Sequence, residues 1–256
     1  MRLTLASNRK YYLFDGFTGS GLVFGFSTRL SGNTSLFYGD THDALENRKQ
    51  LLKELDIDHR SLVCAKQAHT NRVSYIQEND AGRGALSSAD AVNDTDSFIT
   101  DKINVPLSIF TADCLSIFLY DSKRHAIGLA HAGWRSSKSN IAAKTVQLMS
   151  QEFDSKAEDL YIGFGPAIRE CCYEVGKEVV DSFGDAYLRE RLGRYYLDLA
   201  GINKKELLAQ GVQEKNIFDT GICTSCRSRE FFSYRKEGSA CGRLVSIAML
   251  RQPQPK

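Results

Sequence analysis

The fold of this chain is most constrained by two apolar segments, Leu115–Asp121 and Ala126–His131, which a short polar stretch separates. Segments of this length, rich in branched and aromatic side chains, are typical of buried strands, and the short connection predicts an antiparallel hairpin. With the turn centred on the first two residues of the polar stretch, Cys114 lies directly opposite His131, and the two side chains share one face. A shift of one residue would place them on opposite faces, so the register decides whether they can act together.

Other apolar and amphipathic segments extend this hairpin into a larger fold. We predict strands at Val23–Arg29, Leu62–Lys66, Arg72–Ile76, Val105–Thr111, Leu160–Phe164 and Leu244–Leu250, and helices at Asp43–Leu55, Ser139–Phe153, Lys177–Phe183 and Lys204–Gln210. Strands and helices do not alternate as in a repeated βαβ pattern, so we expect an α/β (mixed) fold with central mixed β-sheets covered by helices. No repeat and no linker rich in Gly, Pro or Ser interrupts the chain. This predicts one domain over residues 1–256, with 251–256 as a flexible tail.

The composition excludes several classes of function. Hydrophobic residues make up 42% and charged residues 25% of the 256 residues, which is the profile of an ordinary globular protein. The formal net charge is only +2 and no long basic run occurs, so we expect no nucleic-acid and no membrane binding through bulk charge. No segment approaches the ~18 consecutive apolar residues of a membrane span, and the first residues lack a secretory apolar stretch. We therefore expect a cytoplasmic protein, in which the seven cysteines are thiols, ligands or nucleophiles.

Three residues form a candidate metal site. Cys114 and His131 stand at the ends of the two predicted hairpin strands, and His69 lies in the polar loop KQAHTN between two apolar segments. Zinc and copper both bind cysteine and histidine, and three protein ligands leave a fourth position open, as in catalytic zinc sites. Each residue type also has a common structural role, cysteine as a small buried side chain and histidine as a hydrogen-bonded one. The spacing alone leaves both interpretations open.

The remaining cysteines allow a second site without defining it. Cys223 and Cys226 have Cys-x-x-Cys spacing, and Cys241 follows, so a second zinc site or a redox pair is an open alternative. No histidine or fourth cysteine stands at the usual distance. Cys171 and Cys172 are adjacent, and adjacent side chains of a strand point to opposite faces. We therefore predict a packing role for this pair.

Longer stretches of the chain are similar to a known family. They are GFSTRLSG, GDTHDALENRKQL, KQAHTNRV, DSFIT, PLSIFTADCLSIFLYD, AIGLAHAGWR, GFGPAIRECCYEVG and CTSCRSREFFSYRKEGSACGR, in this order from about Gly25 to Gly242. In these stretches the chain resembles the YfiH family, whose members are labelled laccase-domain or polyphenol oxidase proteins, purine nucleoside phosphorylases or peptidoglycan editing factors. The differences are local, such as Thr70 and Ser136–Ser137 at positions where the family usually has Gly and Gly-Thr. None of them removes one of the three candidate ligands, and we expect them to bear on loop shape and substrate preference.

The resemblance implies a fold, a metal and an activity. It implies a layered α/β/β/α sandwich and zinc bound by His69, Cys114 and His131, the three residues singled out above. It also implies phosphorolysis of adenosine, inosine and methylthioadenosine to the free base and a ribose 1-phosphate, with adenosine deamination as a second activity. The partners are then purine nucleosides and phosphate. We expect a monomer or a weak homodimer.

Phosphorolysis requires a proton-transfer group and an anion site. Asp113, next to Cys114, is our candidate for the general acid/base, with loop capping as the alternative. Because phosphate is the nucleophile, a guanidinium should bind it, and we predict Arg29 first and Arg135 second for this role. The alternative for either arginine is a surface ion pair. The glycine-rich segment Asp15–Gly21 lacks the Lys-Ser/Thr of a P-loop, so we interpret it as a turn before a strand.

Two other functions would use the same residues. In a cysteine hydrolase or amidase acting on cell-wall precursors, Cys114 would be the nucleophile and His131 the base. In a copper-dependent phenol oxidase, copper would bind the same three ligands, which agrees with the Irving–Williams order. True laccase chemistry needs a trinuclear copper cluster and a blue-copper centre, whereas the chain has only five histidines and no paired His-x-His motif. We therefore reject that chemistry and keep copper as an alternative metal.

Overall fold

The computed structural model describes residues 1–16 and 21–252. The strands are β1 (Arg2–Leu5), β2 (Tyr11–Asp15), β3 (Leu22–Ser27), β4 (Val63–Lys66), β5 (Val73–Tyr75), β6 (Val92–Asn93), β7 (Ser97–Thr100), β8 (Leu107–Thr111), β9 (Leu115–Asp121), β10 (Ala126–Ala132), β11 (Leu160–Phe164), β12 (Glu174–Val175), β13 (Leu188–Arg191), β14 (Arg194–Leu197), β15 (Ile217–Asp219) and β16 (Leu244–Leu250). The helices are α1 (Thr41–Glu54), α2 (Trp134–Lys138), α3 (Ile141–Phe153), α4 (Lys177–Val180), α5 (Leu199–Ala209) and α6 (Tyr234–Glu237). The predicted turn at Asp15–Gly21 and the predicted tail at 251–256 lie largely outside the described residues.

Two large mixed sheets and one small sheet organise these strands. Among the described residues, the larger sheet has seven strands in the order β1-β2-β3-β16-β8-β4-β6, and the second has six in the order β15-β11-β9-β10-β7-β5. Most neighbours are antiparallel, but β4 runs parallel to β8 and β6, β5 to β7, and β11 to β15. Strands β12, β14 and β13 form the third sheet. The mixed α/β class that the sequence predicted is confirmed.

The two large sheets pack face to face because their central strands are apolar on both sides. In β9, Phe118 points into the layer between the sheets, whereas Ile117 and Leu119 point to the opposite face. Aromatic rings fill the layer between the sheets. The ring centroid of Phe118 lies 5.0 Å from that of Phe14 and 5.2 Å from that of Phe24. Aromatic pairs at this distance stabilise the layer beyond the area that they bury.

Helices cover the outer faces of both sheets. Helix α1 packs Leu51 and Leu52 into one apolar cluster with Val245 and Ile247 of β16, on the outer face of the larger sheet. Helices α3 and α5 cover the six-stranded sheet, where Met149 of α3 joins the cluster formed by the outward side chains of β9 and β10. The layers therefore follow the order α/β/β/α that the family resemblance implied. None of the described helices combines the length and the apolar character that crossing a membrane requires.

The turn of the central hairpin differs from the prediction, which centred it on Ser122 and Lys123. The turn spans residues 122–125, so its centre lies one residue later, between Lys123 and Arg124. The Asp121 carboxylate fixes this longer turn. Its Oδ1 accepts hydrogen bonds from the backbone N–H groups of Lys123 at 2.9 Å and Arg124 at 3.0 Å. Local side-chain capping of this kind selects the turn length, and with it the register of the strands.

The corrected register changes the partner of His131 but not its face. His131 pairs with Ser116 of β9, whereas the prediction placed it opposite Cys114. The difference amounts to two residues on one strand, and side chains two residues apart lie on the same face. Cys114, which comes just before β9, therefore stays on the side of the hairpin that His131 occupies. The prediction of a shared face holds for this reason.

We predict that Leu119→Ala lowers the free energy of unfolding by about 2–5 kcal/mol, because this fully buried side chain leaves a cavity when it is truncated. The matched control is Leu192→Ala. Leu192 is completely exposed between β13 and β14, so the same substitution should change stability by less than about 0.5 kcal/mol. Urea unfolding followed by circular dichroism measures both variants. Equal losses of unfolding free energy in the two variants would contradict the burial of Leu119 between the six-stranded sheet and its helices.

Candidate metal centre

The ends of several strands meet around one large cavity, which has a volume of about 900 Å³. Strand β8 ends at Thr111, and the chain then crosses to the second large sheet, where β9 begins at Leu115. The crossing residues 112–114, the ends of β4 and β10 and the residue before β16 all contribute to the cavity wall. The cavity therefore lies at one edge of the layer between the two sheets.

His69, Cys114 and His131 meet in this cavity although they come from three segments of the chain. One donor atom from each residue lies within 4.8 Å of the others, and the centroids of the two imidazole rings are 4.8 Å apart. His131 is buried in β10, Cys114 is half-buried before β9, and His69 is exposed in the loop after β4. The structure thus brings together the three residues that the sequence analysis selected as candidate ligands.

A buried carboxylate that the sequence analysis missed, Asp96, organises two of these residues. Its Oδ1 accepts hydrogen bonds from Nδ1 of His131 at 2.8 Å and from the backbone N–H of His69 at 3.1 Å. Its Oδ2 accepts from the N–H groups of Ala68 and Thr70 and from the Thr70 hydroxyl. Asp96 is fully buried immediately before β7, in the stretch TDSFIT. Asp96 could have been found in the sequence as a charged residue that directly precedes an apolar strand, inside a stretch that matches the family.

These contacts give the two histidine rings different protonation states. His131 uses Nδ1 to bind Asp96, so its Nε2 is the nitrogen left for the cavity. Burial alone would lower the pKa of His131, but the neighbouring Cys114 and the carboxylate of Asp96 raise it to about 9. His69 is exposed at the cavity mouth, yet desolvation of its ring and the positive charge of His131 lower its pKa to about 4. His69 is therefore neutral at pH 7 and offers a lone pair.

Gly133, between β10 and α2, leaves open the space in which the donor atoms meet. A Cβ at this position would lie 2.8 Å from Nδ1 of His69 and 3.1 Å from Sγ of Cys114. The first distance is too short for any side-chain contact, so a larger residue would displace the His69 ring. The backbone of Gly133, with φ of −82°, is open to every residue type. Glycine is thus required here for space and not for conformation.

Asp113 occupies the crossing between the two sheets in a strained conformation. Its φ is 88°, in a region that residues other than glycine disfavour. Its Oδ1 accepts a hydrogen bond from the Thr224 hydroxyl at 2.6 Å, and its Oδ2 from the N–H of Arg235 at 2.7 Å. Its backbone carbonyl accepts from the N–H of Ile168 at 2.8 Å. Backbone strain that the surroundings hold in place is typical of functional segments, and here it fixes the neighbouring Cys114.

Positive charge predominates in the cavity wall. The cations that contribute are Lys66, Arg135, Arg235 and Arg243. Among the described residues of the wall, Asp113 is the one acid. Arg243 is mostly buried, and its guanidinium lies 3.7 Å from the ring centroid of Tyr38. Lys66 is exposed. Such a wall attracts anions, and Arg135 is the predicted phosphate ligand that belongs to it.

Arg29, the first choice as phosphate ligand in the sequence analysis, is not brought into the cavity. Its guanidinium donates to the carbonyl oxygens of Ser228 at 2.9 Å and Phe231 at 3.2 Å, and it pairs with Glu237 at 2.5 Å. It also lies 4.4 Å from the ring centroid of Phe232. These partners occupy the guanidinium. Arg29 therefore holds the segment before β16 in place, in a structural role close to the ion-pair alternative.

Aromatic side chains form much of the remaining wall, namely Phe37, Tyr38, Trp134, Tyr173 and Tyr234. Aromatic rings bind other planar rings by stacking or edge contacts, and they attract cations to their faces. Together with the cationic side chains, they suit a ligand that combines a planar ring system with an anion. The cavity wall alone therefore favours ligands that contain both a planar ring system and an anionic group.

A second group of thiols contradicts the packing role that the sequence analysis gave to Cys171 and Cys172. Their sulfur atoms lie within 4.8 Å of one another and of the sulfur atoms of Cys223 and Cys226. The prediction assumed a strand, in which adjacent side chains diverge, but Cys171 and Cys172 lie in a turn. Cys241 is buried elsewhere and does not belong to this group.

The histidine content of the cavity is low. All five histidines lie in the part of the chain that the structure describes, but the cavity wall contains only His69 and His131. His42 lies in α1, His59 before β4 and His125 in the hairpin turn. A trinuclear copper cluster, which laccase chemistry requires, needs more imidazoles than these two. The geometry therefore supports a mononuclear centre.

Fold and site together define an α/β/β/α protein with a His-Cys-His group in a basic, aromatic cavity. Residues 24–251 match the family described as multi-copper polyphenol oxidoreductase laccase, and the chain belongs to this family. The crystal structure of the hypothetical protein YfiH from Bacillus licheniformis superimposes with a TM-score of 0.92 at 29% identity, over 97% of this chain and 99% of that one. The resemblance to the YfiH family is therefore confirmed.

Similar proteins of this family carry two kinds of name. The chain is 34% identical over 251 residues to the purine nucleoside phosphorylase YlmD of Geobacillus stearothermophilus, covering 91% of this chain and 92% of that protein. It is 31% identical over 212 residues to the adenosine deaminase RL5 of an unknown prokaryotic organism, covering 80% of each. Both names refer to enzymes that act on purine nucleosides, whereas the family description refers to copper and phenols.

We predict that Asp96→Asn loosens the loop that carries His69. Asparagine replaces one acceptor oxygen by an NH₂ group, which then faces N–H donors, so hydrogen bonds to the loop are lost. Amide exchange of residues 68–70 should become about tenfold faster or more, because each lost hydrogen bond costs about 1 kcal/mol. Hydrogen-exchange mass spectrometry measures this. The matched control is Asp94→Asn, an exposed aspartate two residues away. Unchanged exchange in Asp96→Asn would show that Asp96 does not organise the loop.

Proposed function

We propose that this protein is a zinc-dependent enzyme acting on purine nucleosides. It would catalyse phosphorolysis of adenosine, inosine and methylthioadenosine to the free base and the corresponding ribose 1-phosphate, with adenosine deamination as a second activity. The observation that carries the proposal is the convergence of His69, Cys114 and His131 on one basic, aromatic cavity. The names of two similar proteins, a purine nucleoside phosphorylase and an adenosine deaminase, support the same class of substrate.

The donor set fits zinc in its chemistry. Two imidazoles and a thiolate are ligands that zinc prefers, and three protein ligands leave one position open. Asp96 orients the ring of His131 as a carboxylate orients a metal-bound histidine. His69 is already neutral, as a ligand must be, whereas His131, whose pKa is raised to about 9, would release its Nε2 proton on binding the ion. A zinc ion held by these residues would supply Lewis acidity at the cavity surface. Copper would bind the same donors, since it stands above zinc in the Irving–Williams order.

The residues around the donors supply the binding surfaces that phosphorolysis needs. The aromatic wall offers faces on which a purine ring can stack. We assign phosphate to Arg243 and Lys66, with Arg135 as a further cation of the same wall. Nη1 of Arg243 donates to the carbonyl oxygens of Cys241 and Gly242, so the rest of its guanidinium is assigned to the phosphate. This assignment replaces Arg29, because Arg29 does not belong to the cavity wall and its guanidinium is paired with the carboxylate of Glu237. Cations on the wall hold the phosphate anion against the ribose and thereby align the nucleophile.

We assign proton transfer to Asp113, which belongs to the cavity wall. Its carboxylate oxygens accept one hydrogen bond each, from Thr224 and from the backbone of Arg235. Each oxygen has a second lone pair, so the carboxylate can take up or return a proton at a purine ring nitrogen. The two existing hydrogen bonds keep the carboxylate in a fixed position while it does so. This arrangement supports the general acid/base role expected from the sequence.

A cysteine hydrolase or amidase is the second candidate, because the sulfur of Cys114 and a ring nitrogen of His131 lie within 4.8 Å of each other. In that mechanism the Cys114 sulfur attacks a carbonyl carbon, and His131 takes up the thiol proton. The two functions differ in the state of the thiol. A metal-bound thiolate resists alkylation until a chelator removes the ion, whereas a free nucleophilic thiolate reacts at once and activity is lost. Alkylation with and without a chelator therefore distinguishes them.

We predict that free base is released from adenosine or inosine only in the presence of inorganic phosphate. Arg243→Ala and Lys66→Ala should each lower kcat/KM for phosphorolysis about tenfold or more, since the phosphate anion loses a charge-assisted hydrogen bond. Deamination needs no anion site and should change less than about threefold. Chromatography of the base, ribose 1-phosphate and inosine measures both reactions.

Arg29→Ala is the control that separates the two assignments of the phosphate site. Its guanidinium lies outside the cavity, so the ratio of phosphorolysis to deamination should stay at the wild-type value. If this variant alone loses phosphorolysis selectively, the phosphate belongs to Arg29. Base release that does not depend on phosphate would make the protein a nucleosidase and would contradict the proposal.

We predict that Gly133→Ala lowers the zinc content by about one equivalent per chain, because the added Cβ displaces His69 and crowds Cys114. The matched control is Gly176→Ala. Gly176 precedes α4 as Gly133 precedes α2, φ is −82° at both positions, and a Cβ at Gly176 meets nothing within 4 Å. Inductively coupled plasma mass spectrometry counts the zinc. Unchanged zinc in Gly133→Ala would count against this set of ligands.

A further inference from the structure

Four cysteines form a cluster that the proposed function does not use. Cys171 and Cys172 lie in a turn after β11, and Cys223 and Cys226 lie in a turn after β15. The sulfur of Cys226 is 3.6 Å from that of Cys171 and 3.3 Å from that of Cys172. All four sulfur atoms lie within 4.8 Å of one another. Two short turns that are distant in sequence thus direct four thiols to one point.

Backbone hydrogen bonds hold the two turns against each other. Ala167 and Cys223 form a parallel β-bridge. The N–H of Ala167 donates to the carbonyl of Ile222 at 3.2 Å, and the carbonyl of Ala167 accepts from the N–H of Thr224 at 3.1 Å. The relative position of the turns is therefore set by the protein backbone, and the cysteines need not assemble it.

Arg169 strengthens the same connection from the side. Its guanidinium donates to both carboxylate oxygens of Asp219, at 2.8 and 2.6 Å, and to the carbonyl of Ile222 at 3.3 Å. Its own carbonyl accepts the N–H of Cys172 at 2.8 Å, which closes the first turn. In the second turn, the carbonyl of Cys223 accepts a hydrogen bond from the N–H of Arg227 at 3.0 Å. The four thiols are thus preorganised by contacts that do not involve sulfur.

The sulfur separations fit a shared metal ion better than a disulfide. Zinc–sulfur bonds of about 2.3 Å in a tetrahedron place the sulfur atoms about 3.8 Å apart. The bonded sulfur atoms of a disulfide are about 2.05 Å apart. Two of the separations, 3.3 and 3.6 Å, lie near the tetrahedral value, and none exceeds 4.8 Å. A disulfide would also join only two of the four thiols, whereas all four converge.

The surroundings of Cys223 also suit a metal-bound sulfur. This cysteine is buried, and the backbone N–H groups of Arg169 and Cys226 donate hydrogen bonds to its side chain. Hydrogen bonds from the backbone stabilise a thiolate and are a common second layer around metal ligands. Cys171 and Cys226 are exposed, so an ion can reach the cluster from solvent.

We propose that Cys171, Cys172, Cys223 and Cys226 bind one zinc ion in a closed, structural site. Four thiolates complete the tetrahedron and leave no position for water or substrate, in contrast to three protein ligands. The thiols release their protons to solvent when the ion binds. No oxidant or reductant takes part.

This ion stabilises one side of the catalytic cavity. The first turn begins after Ile168, whose N–H donates to the carbonyl of Asp113 at 2.8 Å. The second turn contains Thr224, whose hydroxyl donates to the Asp113 carboxylate at 2.6 Å. Tyr173, at the end of the first turn, belongs to the cavity wall. An ion bound to both turns therefore reinforces the contacts that hold Asp113 and, next to it, Cys114.

The experiment counts this ion separately from the zinc proposed for the cavity. Cys114→Ser serves as the background because it removes the thiolate of the cavity site. The full chain is purified in this background under reducing conditions and loaded with Co²⁺ or Zn²⁺ alone. We expect about one equivalent of metal, intense sulfur-to-cobalt charge-transfer bands, and about four sulfur neighbours at about 2.3 Å in zinc X-ray absorption.

Cys226→Ser and Cys171→Ser, each added to the background, should lower bound Co²⁺ about tenfold or more and remove the charge-transfer bands. Both cysteines are exposed, so neither substitution removes core packing. The control is Cys241→Ser, which lies outside the cluster and should keep both metal and spectrum. Amide exchange of residues 167–173 and 222–227 in the zinc-loaded protein should be about tenfold slower than in Cys226→Ser.

Retention of cobalt and its spectrum in Cys226→Ser would overturn the proposal. So would a disulfide within the cluster, without metal, in the protein purified under reducing conditions. A wild-type protein with zinc in the cluster and none in the cavity would support this proposal and contradict the proposed function, so the two can fail separately.

Discussion

The candidate centre depends on the buried carboxylate of Asp96. A fully buried charge is costly unless partners surround it, and Asp96 obtains them from the loop of His69 and from the ring of His131. The backbone adds a further connection, because the N–H of His131 donates to the Asp96 carbonyl at 2.7 Å. Strand β7 therefore holds β10 and the loop after β4 at once. The loop has no regular structure of its own, and Asp96 ties its central residues to the hairpin.

The strands that the sequence predicted best are those in which an apolar run is bounded by polar residues. Strands β9, β11 and β16 begin and end at the predicted residues for this reason. The small sheet of β12, β13 and β14 was not predicted, because its strands are short and largely exposed and carry no apolar alternation. The face shared by Cys114 and His131 was predicted correctly although the register was wrong, since an error of two residues preserves the face.

The features of the site that could not be predicted from the sequence depend on side-chain contacts between distant segments. Asp96 bonds to a loop 27 residues earlier, and the ion pair that occupies Arg29 spans 208 residues. No local pattern records such partners. The steric requirement for glycine at position 133 could not be predicted either, because the backbone conformation of Gly133 is ordinary. The cysteine cluster was not predicted for a related reason. A β-bridge outside the predicted strands brings two separate turns together.

The position of β16 in the larger sheet has a consequence for how the centre forms during synthesis. Strand β16 is the last of the described strands, yet it lies between β3 and β8, and Arg243 of the cavity wall directly precedes it. A nascent chain that has emerged only as far as residue 240 already carries His69, Cys114 and His131, but β8 has no neighbour on one side and the layer between the sheets is incomplete. Pairing of the two ends of the chain is slow compared with local contacts. The three candidate ligands are thus synthesised early, whereas the cavity around them is completed only after β16 has emerged and paired.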